Sequence, residues 1–400
     1  MRARLHQGGA GAAMESAALL PDDDMGDSAP AAPRERRFLW ERLAWAGVLC
    51  WAVAATALAE HRRAPPGAVA SLLQAAPAAA IGKAEEGAAG GSEGLYGVFT
   101  DALKGAKYVD LTHAFSPQSP VWEGFGPATF GPSKVGGDMA GLVRGEAFSY
   151  AKQGFEATSF VLTTDQYGTQ LDPPAHWNEY GATISDLPPT FALRPLVVLD
   201  VHESVAANAS YHATAADAKA WEKVHGTIPE GSVVMVRSDW SKDWERYAKD
   251  GLPAKYPGVS LDLLKFLHLE RKIIFHGHEP LDTDMTPTLE GEAWLLHKNF
   301  AQAEGVKNLH LVPKYGCLLS IGFAKPLGGL GGFARYVAVC PPSAPHGVTV
   351  EEAPGAPLPQ SKHPLRRNGG VMMPTEGAKP TEYCKIKGAF GCAAEGPVWE

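Results

Sequence analysis

Residues 165–176, DQYGTQLDPPAH, decide the fold of this chain. The stretch ends with an aspartate and a histidine, Asp172 and His176, which are four positions apart with two prolines between them. Proline fixes its own φ angle, so the two side chains are expected to keep a fixed relative position. A carboxylate and an imidazole held in this way are typical of a metal site or of a general base that acts on water.

Outward from this stretch, short apolar runs alternate with helical patterns. Continuous apolar runs such as 195–201 and 232–238 indicate strands that are covered on both faces. Ser260 is a suitable N-cap for a helix with leucines on one side. Strands are predicted at 108–112, 159–164, 195–201, 232–238, 272–275, 317–321 and 335–339, and helices at 213–225, 240–249, 260–269 and 292–303. This mixture predicts one α/β domain with a mixed β-sheet core and flanking helices.

Composition and charge exclude some function classes. The 400 residues carry a net charge of -8 without a basic stripe, which argues against a nucleic-acid binder. The 44 glycines and 32 prolines predict many turns and short strands instead of a helical bundle. No CxxC pair occurs among the five cysteines, so a thiolate metal site is not expected. Cys384 and Cys392 flank a short loop, and they could form a disulfide or remain free thiols.

The beginning of the sequence predicts a targeting or anchoring segment. Residues 43–59, LAWAGVLCWAVAATALA, carry no charge and have about the minimum length for spanning a bilayer. They predict a signal anchor or the core of a cleaved targeting sequence, with a buried helix as the third alternative. A membrane-anchored or targeted protein, secretory or plastid, is therefore expected. The predicted segments are a disordered or targeting region at 1–37, a transmembrane or signal-anchor segment at 38–60, a linker at 61–94, the main domain at 95–342 and a Pro/Gly-rich extension at 343–400.

The opening stretch resembles the signature of the cyclase-like metal-dependent hydrolases, H-x-G-T-H-x-D-x-P-x-H. This family includes kynurenine formamidase and isatin hydrolase. Residues 166–176 keep the glycine, threonine, aspartate, proline and last histidine of the signature. Further similarities follow in the same order, at 181–188, 196–201, 276–284, 304–309 and 326–335. The resemblance implies a cyclase-like domain of the swivelling β/β/α type.

The resemblance also implies a ligand set for a metal ion. In the family, two histidines, an aspartate and a distant glutamate hold zinc or manganese, and the last histidine acts as a base or as a further ligand. The corresponding residues here are Gln166, Gln170, Asp172, Glu304 and His176. Both histidine positions hold glutamine, and a carboxamide oxygen binds these ions less well than imidazole. The implied cofactor is a divalent ion, manganese or zinc, with the harder ions magnesium and calcium left open.

Other residues near these positions could take part in the site. Another family histidine falls at Glu292, whose charge would attract an ion. His276 and His278 would lie on one side of an extended segment, as nitrogen ligands or as a hydrogen-bonded pair in a turn.

Three aromatic residues are predicted to form the walls of a substrate pocket: Trp122, Phe125 and Trp177. For each of them, core packing is the alternative. The resemblance implies a hydrolase that cleaves a C–N or C–O bond of a cyclic or formyl amide or a lactone, as in tryptophan catabolism. Asp172 and His176 would activate the water molecule. The alternative is a cyclase-like protein that has lost catalysis and binds a small molecule or a partner. The expected partners are a small-molecule substrate, a membrane through the N-terminal segment and further copies of the chain, without nucleic acid.

Overall fold

The computed structural model describes residues 94–385 and 387, except residues 123, 140 and 351–354. The strands are β1 Lys107–Asp110, β2 Thr129–Pro132, β3 Thr158–Val161, β4 Gln170–Asp172, β5 Leu193–Asp200, β6 His212–Ala213, β7 Val233–Arg237, β8 Gly258–Val259, β9 Phe275–His278, β10 Ala301–Glu304, β11 Cys317–Phe323, β12 Gly332–Cys340, β13 Leu365–Asn368 and β14 Val371–Pro374. The α-helices are α1 Leu95–Val98, α2 Tyr150–Gln153, α3 His202–Ala207, α4 Ala215–His225, α5 Trp244–Asp250, α6 Leu261–Lys265 and α7 Glu290–His297. These elements belong to one compact unit.

Eight of these strands form one sheet, in the order β1-β12-β11-β5-β7-β9-β10-β4. Strand β4 also pairs with β12, so the sheet closes on itself. Strands β5, β7, β9 and β10 run parallel to one another, whereas the remaining pairings in the sheet are antiparallel. This mixed sheet with flanking helices confirms the predicted α/β fold class.

The two faces of the sheet cover different cores. One face carries a cluster that includes the fully buried residues Leu171, Phe275 and Tyr336. The other face packs against the helices, where Val234 contacts a cluster that contains Leu263. Since both faces of β5 and β7 are buried, residues 196–199 and 233–236 are continuously apolar instead of alternating.

Most predicted elements are present, and two have different limits. Ser260 caps α6, because its hydroxyl accepts a hydrogen bond from the Leu263 amide at 3.4 Å. The helix predicted at 292–303 ends at His297, since Asn299 adopts a left-handed φ of 64° and the chain then enters β10. The strand predicted at 272–275 lies instead at Phe275–His278.

A disulfide that the spacing of the cysteines did not predict joins Cys317 and Cys340, whose Cα atoms are 4.2 Å apart on β11 and β12. Only the register of these two strands brings the cysteines together, and their spacing in the sequence does not indicate this register. Cys384 is also disulfide-bonded. Cys392 lies outside the described residues, so the predicted bridge between Cys384 and Cys392 stays a prediction.

The predicted membrane localisation is contradicted, and the predicted membrane contact is not supported. Within the described residues, no helix is both long and apolar enough to cross a bilayer. The longest described helix, α4, has 11 residues, which is about half the length that a hydrocarbon core requires. The apolar run at 43–59 lies outside the described residues, together with the rest of 1–93. The predicted homo-oligomer stays a prediction.

Candidate active site

The opening stretch forms β4 and the turn that follows it. Strand β4 is followed by a single 3-10 turn, Pro174–His176, which Pro173 enters with a φ of -76°. In the antiparallel pairing with β10, Gln170 lies opposite Glu304, and Asp172 lies opposite Gln302. Residues opposite each other in such a pair share a face of the sheet, and so do residues two apart along a strand. These four polar side chains therefore project together.

The backbone before β4 is held by close contacts. Gly168 has a φ of 63°, a conformation that favours glycine. The Thr169 hydroxyl donates to the Gly305 carbonyl at 2.6 Å and accepts from the His113 amide at 2.9 Å. A Cβ atom at Gly305 would lie 2.3 Å from the Gly168 carbonyl oxygen, so a larger residue would displace the motif.

The glycine-rich segment at 326–335 supports the same stretch from the other side. The amides of Leu330 and Gly331 donate to Asp165 Oδ2 at 3.0 and 2.9 Å. A Cβ atom at Gly331 would lie 2.5 Å from the Gln166 side chain. The segment is therefore a closely packed turn before β12, and it positions the motif.

Asp172, Glu292 and Glu304 form a buried group of carboxylates. One ligand atom from each lies within 4.8 Å of the others. They come from β4, α7 and β10, and each is at most 4% exposed. The start of α7 is fixed because Asp284 Oδ2 accepts from the Gly291 amide at 2.9 Å and from the Glu292 amide at 3.3 Å. The fold thus brings three acidic residues together from distant parts of the sequence.

Three glutamine amides donate to these carboxylates. Gln170 Nε2 lies 2.8 Å from Glu304 Oε2 and 3.3 Å from Asp172 Oδ1. Gln302 Nε2 forms a second bridge, 2.9 Å from Glu304 Oε1 and 3.3 Å from Asp172 Oδ2. Gln166 Nε2 donates to Asp172 Oδ1 at 3.0 Å. The amides thus hold the carboxylates of Asp172 and Glu304 in place.

His278 lies behind this group and not among the converging ligand atoms. Its Nε2 is 3.2 Å from the Thr283 hydroxyl and 3.7 Å from Glu304 Oε1, and the Thr283 hydroxyl donates to Gln302. Among the described residues, the group that could hold an ion contains neither His278 nor His276. Their alternative role as nitrogen ligands is therefore not supported.

Burial makes this region unfavourable for negative charge. It raises the pKa of Glu304 well above its usual value and the pKa of Glu292 to about 8, and in both cases repulsion from Asp172 adds to the effect. Burial likewise raises the pKa of Asp172, which nearby His176 opposes, and raises the pKa of Asp282 to about 6. Within the described residues, no Lys or Arg forms an ion pair with any of these four carboxylates. Protons or a bound cation must therefore balance their charge.

A cavity of about 290 Å³ opens beside the carboxylates. Its walls are Val121, Trp122, Phe125, Gln166, Gln170, His176, Trp177, Leu281, Asp282, Leu289, Glu292 and Glu304. The structure therefore brings the predicted aromatic walls and the predicted ligand positions to one place. Asp172 lies directly behind Gln166 and Gln170, through the hydrogen bonds described above.

Sequence reasoning missed two polar residues of the site and weighed a third without choosing it. Gln302 could have been found, because it lies two positions before Glu304 on a strand and so shares its face. The segment 276–284 pointed to the region of Asp282, although nothing in the sequence singled out that residue. Glu292 was recognised as the replacement of a histidine, and the structure places its carboxylate with Asp172 and Glu304.

A divalent cation fits these side chains. Glu292 Oε2 is buried without a hydrogen-bond partner among the described residues, and the Glu292 carboxylate has an oxygen within 4.8 Å of those of Asp172 and Glu304. Carboxylate oxygens are the ligands that magnesium, calcium and manganese prefer. Rotation of a glutamine amide by half a turn would present its oxygen instead of its nitrogen, so Gln166 and Gln170 could add oxygen ligands. His176 offers an imidazole nitrogen on the cavity wall, although it does not belong to the converging group of carboxylates.

Known proteins resemble this chain in sequence and in fold. A family model described as "putative cyclase" matches residues 109–285. Isatin hydrolase from Roseibium aggregatum is 29% identical over 201 residues, which are 47% of this chain and 76% of that protein. The solved structure of isatin hydrolase A from Ralstonia solanacearum matches with a TM-score of 0.51 and 25% identity, over 59% of this chain and 92% of that chain. Isatin hydrolase A from Labrenzia aggregata matches in fold, with a TM-score of 0.52, 24% identity, and coverage of 62% and 98%.

The region that the family model matches contains the opening motif. The solved structure from Ralstonia solanacearum has a similar α/β fold. The motif of this chain contains Gln166 and Gln170, and the carboxylates that could hold an ion are those of Asp172, Glu292 and Glu304. In its motif, in the region that the family model matches and in its fold, the chain is similar to the cyclase-like metal-dependent hydrolases.

Proposed function

We propose that residues 95–342 form a hydrolase domain that cleaves the C–N or C–O bond of a cyclic amide, a formyl amide or a lactone. The observation that carries the proposal is that Asp172, Glu292 and Glu304 converge beside a cavity whose wall includes His176. The similarity to isatin hydrolase supports cleavage of the C–N bond of a cyclic amide. The cavity volume of about 290 Å³ suits a small substrate.

In this proposal, Asp172, Glu292 and Glu304 would hold a divalent ion. When bound, such an ion lowers the pKa of water and polarises a carbonyl group. Gln166 and Gln170 orient the carboxylates through the hydrogen bonds described above. The site can therefore keep its ligand geometry although both family histidine positions hold glutamine.

His176 would move the proton. It is half-buried on the cavity wall, next to Trp177, and Asp172 is close enough to interact with it electrostatically. It would take a proton from the attacking water and give it to the departing nitrogen or oxygen, so that the carbonyl carbon gains the hydroxyl group. Trp122 and Phe125 lie edge to face, with ring centroids 5.2 Å apart, and would hold the flat face of a substrate.

The test is hydrolysis of isatin, an aryl formamide and an aromatic lactone by the purified protein with added manganese. We expect turnover of at least one of them and a loss of about 10²- to 10⁴-fold in kcat for His176→Ala. His202→Ala is the matched control, because His202 pairs with Asp200 at 2.6 Å and does not line the cavity. Absence of turnover with all three compounds, in protein shown to contain metal, would contradict the proposal.

The alternative function, binding without catalysis, is favoured by one observation. The amides of Gln166 and Gln170 donate to the carboxylates that would otherwise receive the ion. If this arrangement persists in solution, the cavity binds a ligand without activating water. Equilibrium dialysis with radioactive manganese distinguishes the two, because the hydrolase requires a stoichiometric ion and the alternative does not.

A further inference from the structure

The ionisable side chains of the cavity wall are mainly acidic. Three carboxylates line it directly, those of Asp282, Glu292 and Glu304, and Asp172 lies just behind. Among the described residues that line the cavity, none is a lysine or an arginine, and only His176 can become positively charged. A divalent ion would offset the charge of the converging carboxylates, and the carboxylate of Asp282 would still repel an anionic ligand.

Asp282 has a position that differs from that of the other carboxylates. It does not belong to the group whose ligand atoms converge on one point. Within the described residues, its carboxylate accepts one side-chain hydrogen bond, from the Tyr256 hydroxyl to Oδ2 at 3.1 Å. The side chain is only partly buried and lines the cavity, so its other oxygen is available to a ligand. The Tyr256 hydroxyl is also 3.1 Å from the Asp284 carbonyl oxygen, so its single hydrogen is shared between the two acceptors.

The remaining wall suits an aromatic ligand. Trp122, Phe125 and Trp177 supply ring surface, and Leu281 and Leu289 supply apolar surface. The face of an aromatic ring carries partial negative charge and attracts cations as well as flat rings. The same wall thus favours an aromatic ring and a positive charge on one molecule.

We infer that the cavity selects aromatic substrates that carry a protonated amine, and that Asp282 is the residue that pairs with this amine. The inference rests on the proposed hydrolase function only in calling the ligand a substrate. The amine would donate to Asp282 while the aromatic ring packs against Trp122 and Trp177. The carbonyl group to be hydrolysed would then lie toward His176 and the converging carboxylates, on the same cavity wall.

The test is binding of three indole compounds of similar size by the full-length protein with saturating manganese. Tryptamine is cationic, 3-ethylindole is neutral, and indole-3-propionate is anionic, and none has a bond that the proposed reaction would cleave. Isothermal titration calorimetry should show tryptamine binding at least about tenfold more tightly than indole-3-propionate, as expected for a hydrogen bond between charged groups. In Asp282→Asn, tryptamine should lose about tenfold in affinity, whereas 3-ethylindole should bind as before.

Asp243→Asn is the control for a general change in charge, since Asp243 is exposed on the surface and pairs with Arg246. It should leave all three affinities unchanged. Equal or tighter binding of indole-3-propionate, or an unchanged preference in Asp282→Asn, would overturn the inference. Loss of tryptamine binding when manganese is added would also overturn it, because the amine would then occupy the ion site. The indole compounds report on charge selection alone, so failure of the hydrolysis assay with an intact preference would contradict the hydrolase proposal and leave the charge selection standing.

Discussion

At the residue scale, the glutamine amides of the site can donate hydrogen bonds to two carboxylates at once, which a neutral imidazole cannot do. A neutral imidazole has one N–H donor, whereas an amide NH2 group has two. Gln170 uses its amide to bridge Asp172 and Glu304, which sit on neighbouring strands. A histidine at this position could donate to one of them only. The glutamines therefore stabilise closely spaced carboxylates in a way that a nitrogen ligand would not.

The first prediction follows from this difference. In Gln170→His, an imidazole nitrogen would replace an amide beside Asp172 and Glu304, so the affinity for zinc should rise at least about tenfold relative to magnesium. Competition titrations with a chromophoric chelator measure both affinities. The control is Gln153→His, because Gln153 is buried elsewhere, where its Oε1 accepts from the Ser149 amide. An unchanged ratio of zinc to magnesium affinity in Gln170→His would show that this position does not contact the ion.

The second prediction concerns Glu292. Its Oε2 is buried without a hydrogen-bond partner among the described residues, so an ion would be its natural partner. Glu292→Gln should weaken manganese binding about 100-fold, since removal of even an outer partner of a metal site costs 10- to 100-fold. Glu290→Gln is a matched control on the same helix, because Glu290 is exposed. Calorimetric titration with manganese measures both variants, and equal affinities would remove Glu292 from the ligand set.

At the element scale, β4 shows how far the sequence predicted the site. The motif itself was recognisable, and strands such as β5 and β7 were visible as continuous apolar runs. Strand β4 was not predicted, because it has only three residues and two of them are polar. Strand β10 was assigned to a helix, because its sequence Ala-Gln-Ala-Glu has no β-branched residue and each of its residues favours helix. The pairing of β10 with β9 on one side and with β4 on the other overrides that preference.

The third prediction tests the role of β4 in the core. Leu171 is fully buried on β4, which pairs with β10 and β12, and it belongs to the cluster that contains Tyr336. Leu171→Ala should lower the free energy of unfolding by about 2–5 kcal/mol, because it removes buried methyl groups and leaves a cavity. Urea denaturation followed by circular dichroism measures the loss. Leu358→Ala is the control, since Leu358 is 88% exposed, and its loss should stay below about 0.5 kcal/mol.

The same substitution should also weaken the site. Leu171 lies between Gln170 and Asp172 on β4, so a shift of this strand moves both side chains. Manganese affinity should therefore fall in Leu171→Ala under conditions in which the variant remains folded. An unchanged manganese affinity in the destabilised variant would mean that the ligand geometry does not depend on the packing of Leu171 in the core.

At the scale of the whole molecule, the closed sheet and its helices also bury carboxyl groups that do not belong to the candidate ion site. Glu279 is the clearest of these, because it follows β9 and is 1% exposed. It accepts a hydrogen bond from the Ser241 amide at 2.9 Å and one from the Ser238 hydroxyl at 3.2 Å. These bonds only partly offset burial, which raises the pKa of Glu279 to about 7. Folding therefore takes up a proton at this residue in mildly acidic solution.

The fourth prediction is a fall in stability as the pH rises. Between pH 4.5, the ordinary value for a glutamate, and about 7, the unfolded chain has released the Glu279 proton while the folded protein still holds it. The folded state then binds more protons, so its stability decreases with rising pH across this window, by roughly 3 kcal/mol for a shift of this size.

Glu279→Gln removes this contribution, and the loss of unfolding free energy between pH 4.5 and 8 should be smaller by that amount than in the parent protein. Urea denaturation in EDTA at both pH values measures the difference, and Glu270→Gln, at an exposed position, should keep the slope of the parent. A parent protein that becomes more stable as the pH rises, or a Glu279→Gln variant with the same slope, would mean that Glu279 is ionised in the folded state and that its two hydrogen bonds outweigh burial.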